Sequence, residues 1–136
     1  MPEFLPDRLE AGTLNVPGIA GLDAGVRYVN RKGVESLFDR EHRQLLICVR
    51  GLRELGYRVF AGEHQAATAS FVTQGDCEGF AEKLGRRGVA VRAGLHCAPL
   101  VHESAGTLES GTVRVSFGYD ASAGKTSEFL RILSQL

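Results

Sequence analysis

The stretch VESLFDREHRQLLICVRGLRELGYRVF, residues 34–60, decides the fold class. Val34, Leu37, Phe38, Leu45, Cys48, Val49, Leu52 and Leu55 recur at helical spacing down one face, while Glu35, Asp39, Arg40, Arg43 and Arg50 occupy the other. Gly56 is a stop signal for that helix. Tyr57 to Ala61, which follows at once, is short and rich in aromatic and β-branched residues, as strands are. Helix and strand therefore alternate within one core.

The pattern continues in both directions. Upstream, Ile19, Leu22, Val26 and Val29 keep a helical period from Pro17, a residue suited to a first helical turn, to an end near Lys32-Gly33. Before it, residues 1–15 contain Pro2, Pro6, Gly12 and Asn15 with no apolar period and read as an extended arm. Downstream, Thr68 to Thr73 reads as a second strand and Cys77 to Leu84 as a helix capped by Asp76, with Phe80, Ala81 and Leu84 inward. Val89 to Arg92 and Thr112 to Phe117 read as further strands. A last helix carries Phe129, Leu130, Leu133 and Leu136, with Thr126 or Ser127 as its cap. The order predicts an α/β chain of α+β type, a small and mostly antiparallel sheet with helices packed on one face. Between Gly94 and Gly111 lies a long irregular segment, and such segments are usually functional or disordered.

Composition limits the function. The chain has 136 residues, near the common size of one domain, with 16 Lys plus Arg against 16 Asp plus Glu. No basic run interleaved with aromatics is present, so nucleic acid is not an expected partner. The first ten residues are acidic and hold two prolines, unlike a secretory leader, and no apolar run is long enough to span a bilayer. Cys48, Cys77 and Cys97 are odd in number and irregular in spacing, as expected of a cytoplasmic protein and not of a disulfide framework.

The chemistry concentrates in Arg92-Ala93-Gly94-Leu95-His96-Cys97-Ala98-Pro99-Leu100. A thiol stands there beside an imidazole and near a guanidinium, and positive charge favours the thiolate, the nucleophilic form. The competing reading is a small residue filling a gap. His96, Cys97 and His102 supply three possible metal ligands, but zinc sites need a fourth and paired spacing, so no metal site is expected. Cys48 falls on the apolar helix face, and Cys77 opens a helix. Gly118 to Thr126 has the outline of a phosphate-binding loop, but its glycines are one residue too far apart, which leaves a turn and a helix cap. Arg114 lies in a strand between Val113 and Val115, where it is either a surface residue or a planar fork for a carboxylate.

Taken together, three motifs in order resemble the cysteine desulfurases of the class V aminotransferase family, and nearly the whole chain participates. Arg8-Leu9-Glu10-Ala11-Gly12-Thr13-Leu14-Asn15, with Pro17-Gly18-Ile19, is similar to the segment that crosses to the neighbouring subunit of a homodimer. Arg92 to Ala98 is similar to the persulfide-forming loop, and Gly111 to Phe117 to the strand bearing the carboxylate arginine. The resemblance implies that Thr13 bonds the phosphate of pyridoxal phosphate while Gly12 permits close approach, and that Arg114 holds the carboxylate of L-cysteine. It further implies that Cys97 takes up sulfur as a persulfide and passes it to an acceptor protein. Beside the nucleophile, His96 would either assist protonation or support the loop, and Arg92 would favour the thiolate and join Arg114 as a substrate-binding residue. The short interval from Cys97 to Arg114 resembles the branch with a compact loop, which includes selenocysteine lyases.

One part of the family pattern is missing. Its cofactor lysine follows a histidine, and Lys32, Lys83 and Lys125 stand in no such context. Residues 16–136 thus correspond to the carboxy-terminal small domain, without the large cofactor domain, and no pyridoxal phosphate is expected on this chain alone. The alternatives are a non-catalytic interaction or sulfur-carrier module that uses Cys97, and a class V relative with another substrate.

Overall fold

The side chain of Asn15 opens the first helix by accepting the Gly18 N–H at 3.0 Å. Helix α1 then runs Val16–Lys32, and Gly33, at φ 82°, closes it by donating its N–H to the Val29 carbonyl. Helix α2, Val34–Glu54, follows directly. This computed structural model describes residues 3–10 and 12–136, and the chain forms two compact units, residues 1–36 and 37–136. In the first unit a short 3-10 turn, Asp7–Leu9, precedes α1. The apolar period of α1 is present, but Ile19, Leu22, Val26 and Val29 are exposed and the helix contains no buried residue.

The second unit continues with β1 (Arg58–Phe60), β2 (Thr68–Val72), α3 (Cys77–Arg86), β3 (Arg92–Gly94), α4 (Pro99–Ala105), β4 (Thr112–Ser116) and α5 (Ala123–Leu133). Its strands form one antiparallel sheet in the order β1-β2-β4-β3. Registers pair Phe71 with Val59 and Val113, and Ala69 with Val115, so these residues share one face. They join Leu45, Cys48, Val49 and Leu52 of α2, Cys77 and Leu84 of α3, and Phe129, Ile132 and Leu133 of α5 in one buried cluster. The sheet is thus covered on this face by helices, as the mixed periodicity indicates. Fully burying side chains of this size stabilises by about 1.5–3 kcal/mol each, and this cluster is the main support of the unit.

Three local expectations need correction. The third strand is Arg92–Gly94 and not Val89–Arg92. Val89 and Val91 still pack on the core, but a groove lined by residues 89–91, Val115–Phe117 and α5 separates their backbone from β4. The supposed irregular segment contains α4, begun by Pro99 in its first turn and closed by Gly106 in the left-handed conformation. Helix α5 begins earlier than expected, capped by Ser122, whose hydroxyl accepts the Lys125 N–H. Thr126 is buried instead, and its hydroxyl lies 2.8 Å from Gln44 Oε1 on α2.

Gly111, just before β4, sits tightly against Cys77 of α3 and Gly94 of β3. Its φ is +61°, and a Cβ there would stand 2.8 Å from Cys77 Sγ and 3.2 Å from Gly94 Cα. The left-handed backbone costs a non-glycine residue about 1–2 kcal/mol. Overpacking adds about 1–3 kcal/mol. Gly111→Ala should therefore lose about 2–5 kcal/mol in urea unfolding. Gly88→Ala, with φ +80° and open space around its Cβ, should lose only the backbone part.

Candidate functional site

The face of the sheet opposite the core carries the polar residues of the same strands. Arg114 on β4 lies directly opposite Arg92 on β3 and Ser70 on β2, and Ser70 in turn lies opposite Phe60. Both arginines are exposed. Like charges opposed across a ladder destabilise it by a few tenths to about 1 kcal/mol, so this pair is an arrangement that an anion would relieve.

Immediately after β3 the chain makes a tight turn, with the Ala98 N–H donating to the Leu95 carbonyl at 2.9 Å. His96 and Cys97 are the non-glycine residues of positive φ among the described residues, at 51° and 58°. For an ordinary side chain that region is costly, and strain of this kind clusters where structure serves function. The turn leaves Cys97 exposed, whereas Cys48 and Cys77 are buried; all three thiols are free. Burial pushes the Cys48 thiol up to about 12, which keeps it protonated and inert.

The imidazole of His96 is half-buried, with Nε2 3.1 Å from the Thr112 hydroxyl and Nδ1 buried without a protein partner. Desolvation lowers its pKa first, followed by the charges of Arg114 and His102, against an opposing hydrogen bond to Thr112; Arg92 lowers it further. Arg114, Arg92 and His96 therefore lie within one electrostatic field, and the imidazole is neutral at pH 7. Helix α4 follows Cys97, carrying His102, whose ring centroid is 5.9 Å from that of His96. Among the described residues no group of three His, Cys, Asp or Glu side chains converges as a metal site. No helix of the described residues is long and apolar enough to cross a membrane.

The chain matches the family described as Aminotransferase class-V over residues 3–127. It belongs to the class-V aminotransferase family. It is 40% identical over 121 residues to a cysteine desulfurase of Synechococcus elongatus, a match covering 84% of this chain and 18% of that protein. A probable cysteine desulfurase of Pyrococcus abyssi is 30% identical over 135 residues, covering 96% of this chain and 33% of its own length. The apo structure of a cysteine desulfurase from Thermococcus onnurineus NA1 superposes with a TM-score of 0.89 at 34% identity, over 96% of this chain and 33% of that one. A desulfurase structure from Escherichia coli, at 24% identity and TM-score 0.88, shares the fold. This class-V chain thus spans about a fifth to a third of the length of these relatives.

Arg92, His96, Cys97 and Arg114, each a candidate from the sequence, fall in one unit on β3, its turn and β4. Gly12 and Thr13 lie in the other. Gly12 has φ +85° with open space where a Cβ would be, and Thr13 is exposed. Thr112, Thr107 and the burial of His102 escape sequence reading. Threonines that bracket an active loop were the available signal, but hydroxyl partners depend on register and carry no sequence period.

Two outcomes follow. Brief iodoacetamide treatment of the native chain should label Cys97 alone, with Cys48 and Cys77 reacting only after denaturation, as peptide mapping would record. In an NMR titration His96 should have its midpoint below the ordinary 6.5, and Arg114→Gln should raise it. Because the folded value is depressed, the stability this residue contributes is complete above the unfolded pKa. It is lost as pH falls from there through the folded value.

Proposed function

We propose that this chain supplies the sulfur nucleophile and the carboxylate clamp of a pyridoxal-phosphate-dependent cysteine desulfurase. The observation that carries this reading is the placement of an exposed thiol, on a strained turn, at the end of the strand whose Arg92 opposes Arg114. A guanidinium is a planar fork and grips a carboxylate through two parallel hydrogen bonds. On an open sheet face it can do so without losing a partner in the fold.

In this reading Arg114 holds the carboxylate of L-cysteine, and Arg92 adds a second positive charge. The Cys97 thiolate attacks the substrate sulfur. A sulfur–sulfur bond forms as the substrate's carbon–sulfur bond breaks, its electron pair passing to the carbon skeleton, which takes up a proton and leaves as alanine. Cys97 is left as a persulfide for an acceptor thiol. His96, next in sequence to the thiol, either assists protonation or supports the turn through its contact with Thr112.

Pyridoxal phosphate, when bound, supplies the electron sink for proton removal at the substrate α-carbon. The residues present fit only its phosphate end. Gly12 leaves its backbone open to close approach and Thr13 offers an exposed hydroxyl. Lys32, Lys83 and Lys125 are exposed helix residues, so the cofactor lysine belongs to a part outside this chain. The apolar side of α1 and the segment before it would then meet the large domain or the second subunit of a homodimer. Three free thiols suit a reducing compartment such as the cytoplasm.

Alone, the chain should make no alanine from L-cysteine. In the complete enzyme, Arg114→Lys should lower kcat/KM about 10- to 100-fold, because an ammonium cannot reproduce a two-pronged, charge-assisted contact. Unchanged kcat/KM would return Arg114 to a plain surface residue.

A further inference from the structure

His102 and Thr107 have no part in the chemistry just described, yet they are 6% and 2% exposed, close in sequence to an exposed thiol. Burying an imidazole and a hydroxyl is costly unless each finds a partner. They find one another. Thr107 Oγ1 lies 2.8 Å from His102 Nδ1, and the Thr107 N–H donates to the His102 carbonyl at 2.8 Å. The bond ties α4 to the loop that leads into β4. His102 is anchored to the residue after Cys97, because its N–H donates to the Ala98 carbonyl at 3.2 Å. Thr107 leads to β4, because its carbonyl accepts the Gly111 N–H at 2.9 Å. The far end of α4 is held as well, by Arg58 Nη2 donating to the Ala105 carbonyl at 2.8 Å.

The turn itself is poorly held by its own bonds. His96 and Cys97 are consecutive left-handed residues, at φ 51° and 58°, a conformation unfavourable for any side chain-bearing residue. Against that stand the Ala98 to Leu95 bond and the contact of His96 with Thr112. Such strain persists only where the surroundings over-determine it.

We propose that Thr107 and His102 are positioning residues for Cys97: their buried bond holds α4 against the start of β4, and α4 so held keeps the strained turn that presents the thiol. The functional half of this inference rests on Cys97 being the nucleophile; the structural half does not.

Thr107→Val removes the hydroxyl at nearly constant shape, and Thr107→Ser keeps it. Hydrogen exchange on the 136-residue chain should show the Ala98, Val101 and His102 amides at least tenfold less protected in Thr107→Val. In Thr107→Ser they should stay within about twofold, with the core amides of Leu52 and Phe71 as reference. Should Thr107→Val unfold the whole chain, His102→Asn, which keeps a polar atom near the Nδ1 position, and His102→Leu carry the same comparison. In the complete enzyme Thr107→Val should lower kcat about tenfold with KM within twofold, because the arginines stand on the sheet and not on α4. Thr107→Ser should restore kcat. Unchanged α4 protection in Thr107→Val overturns the latch, and lost protection with unchanged kcat overturns its positioning role. Full activity of Cys97→Ala would instead overturn the desulfurase reading, and the exchange data alone would then decide the latch.

Discussion

Everything in the second unit depends on the alternation of β4. Val113 and Val115 are 0% and 7% exposed on the core face, and Arg114 between them points to the open face. Side chains alternate along a strand, so a slip of one residue would bury the guanidinium and expose both valines. Burying an unpaired charge costs several kcal/mol, far more than any other register could return. The hydrophobic core and the location of Arg114 are therefore one constraint. The pairing with β2 and β3 carries it outward: Phe71 and Ala93 share the core face with Val113, while Ser70 and Arg92 fall in line with Arg114.

The same register sets the turn at Cys97. Gly94 pairs with Thr112 at the last rung between β3 and β4, and Gly111 lies so close to Gly94 that neither end has room for a side chain at position 111. The chain must leave β3 within a short distance and return to β4. It does so through a left-handed turn, one short helix and a buried His–Thr contact. An exposed thiol on a turn so constrained is a more defined nucleophile than one on a mobile loop, because less freedom is lost when it meets its target.

Much of this was legible in the sequence because periodicity and punctuation agree. The end of α2 near Gly56, Asp76 as the cap of α3 and the alternation of Thr112 to Ser116 survive in the structure, whereas the apolar stripe of α2 is buried only from Leu45 to Leu52, with Val34, Phe38 and Leu55 exposed. What was not legible is what distant partners decide. The third strand is shifted because Val89 and Val91 pack on the core across a groove from β4, the Val89 N–H donates to the Leu84 carbonyl at the end of α3, and the rungs to β4 begin only at Arg92. Helix α4 leaves no clear period because Pro99–Ala105 is short and two of its apolar residues, Leu100 and Val101, face water. Its stability comes from Thr107, Gly106 and Arg58, none of which leaves a helical period. Thr126 resembles a cap locally, whereas Gln44, on a helix far away in sequence, accepts a hydrogen bond from its hydroxyl. For the candidate site, motifs supplied Arg92, His96, Cys97 and Arg114, and only geometry supplied their hydroxyl and imidazole neighbours.

The opposed arginines connect stability to binding. The sheet bears the repulsion of Arg92 and Arg114 at all times, a cost of a few tenths to about 1 kcal/mol, and His96 stays neutral partly in response to the same field. A carboxylate between the guanidinium groups would remove the repulsion, so part of what the fold loses returns as affinity for an anion. It would also weaken the positive field that lowers the His96 pKa. By linkage the effect is reciprocal: protonating His96 would strengthen the attraction for a carboxylate. In the reading proposed above, carboxylate binding on β4 and the protonation of the residue beside the thiol would in this way be coupled through the pairing of β3 with β4.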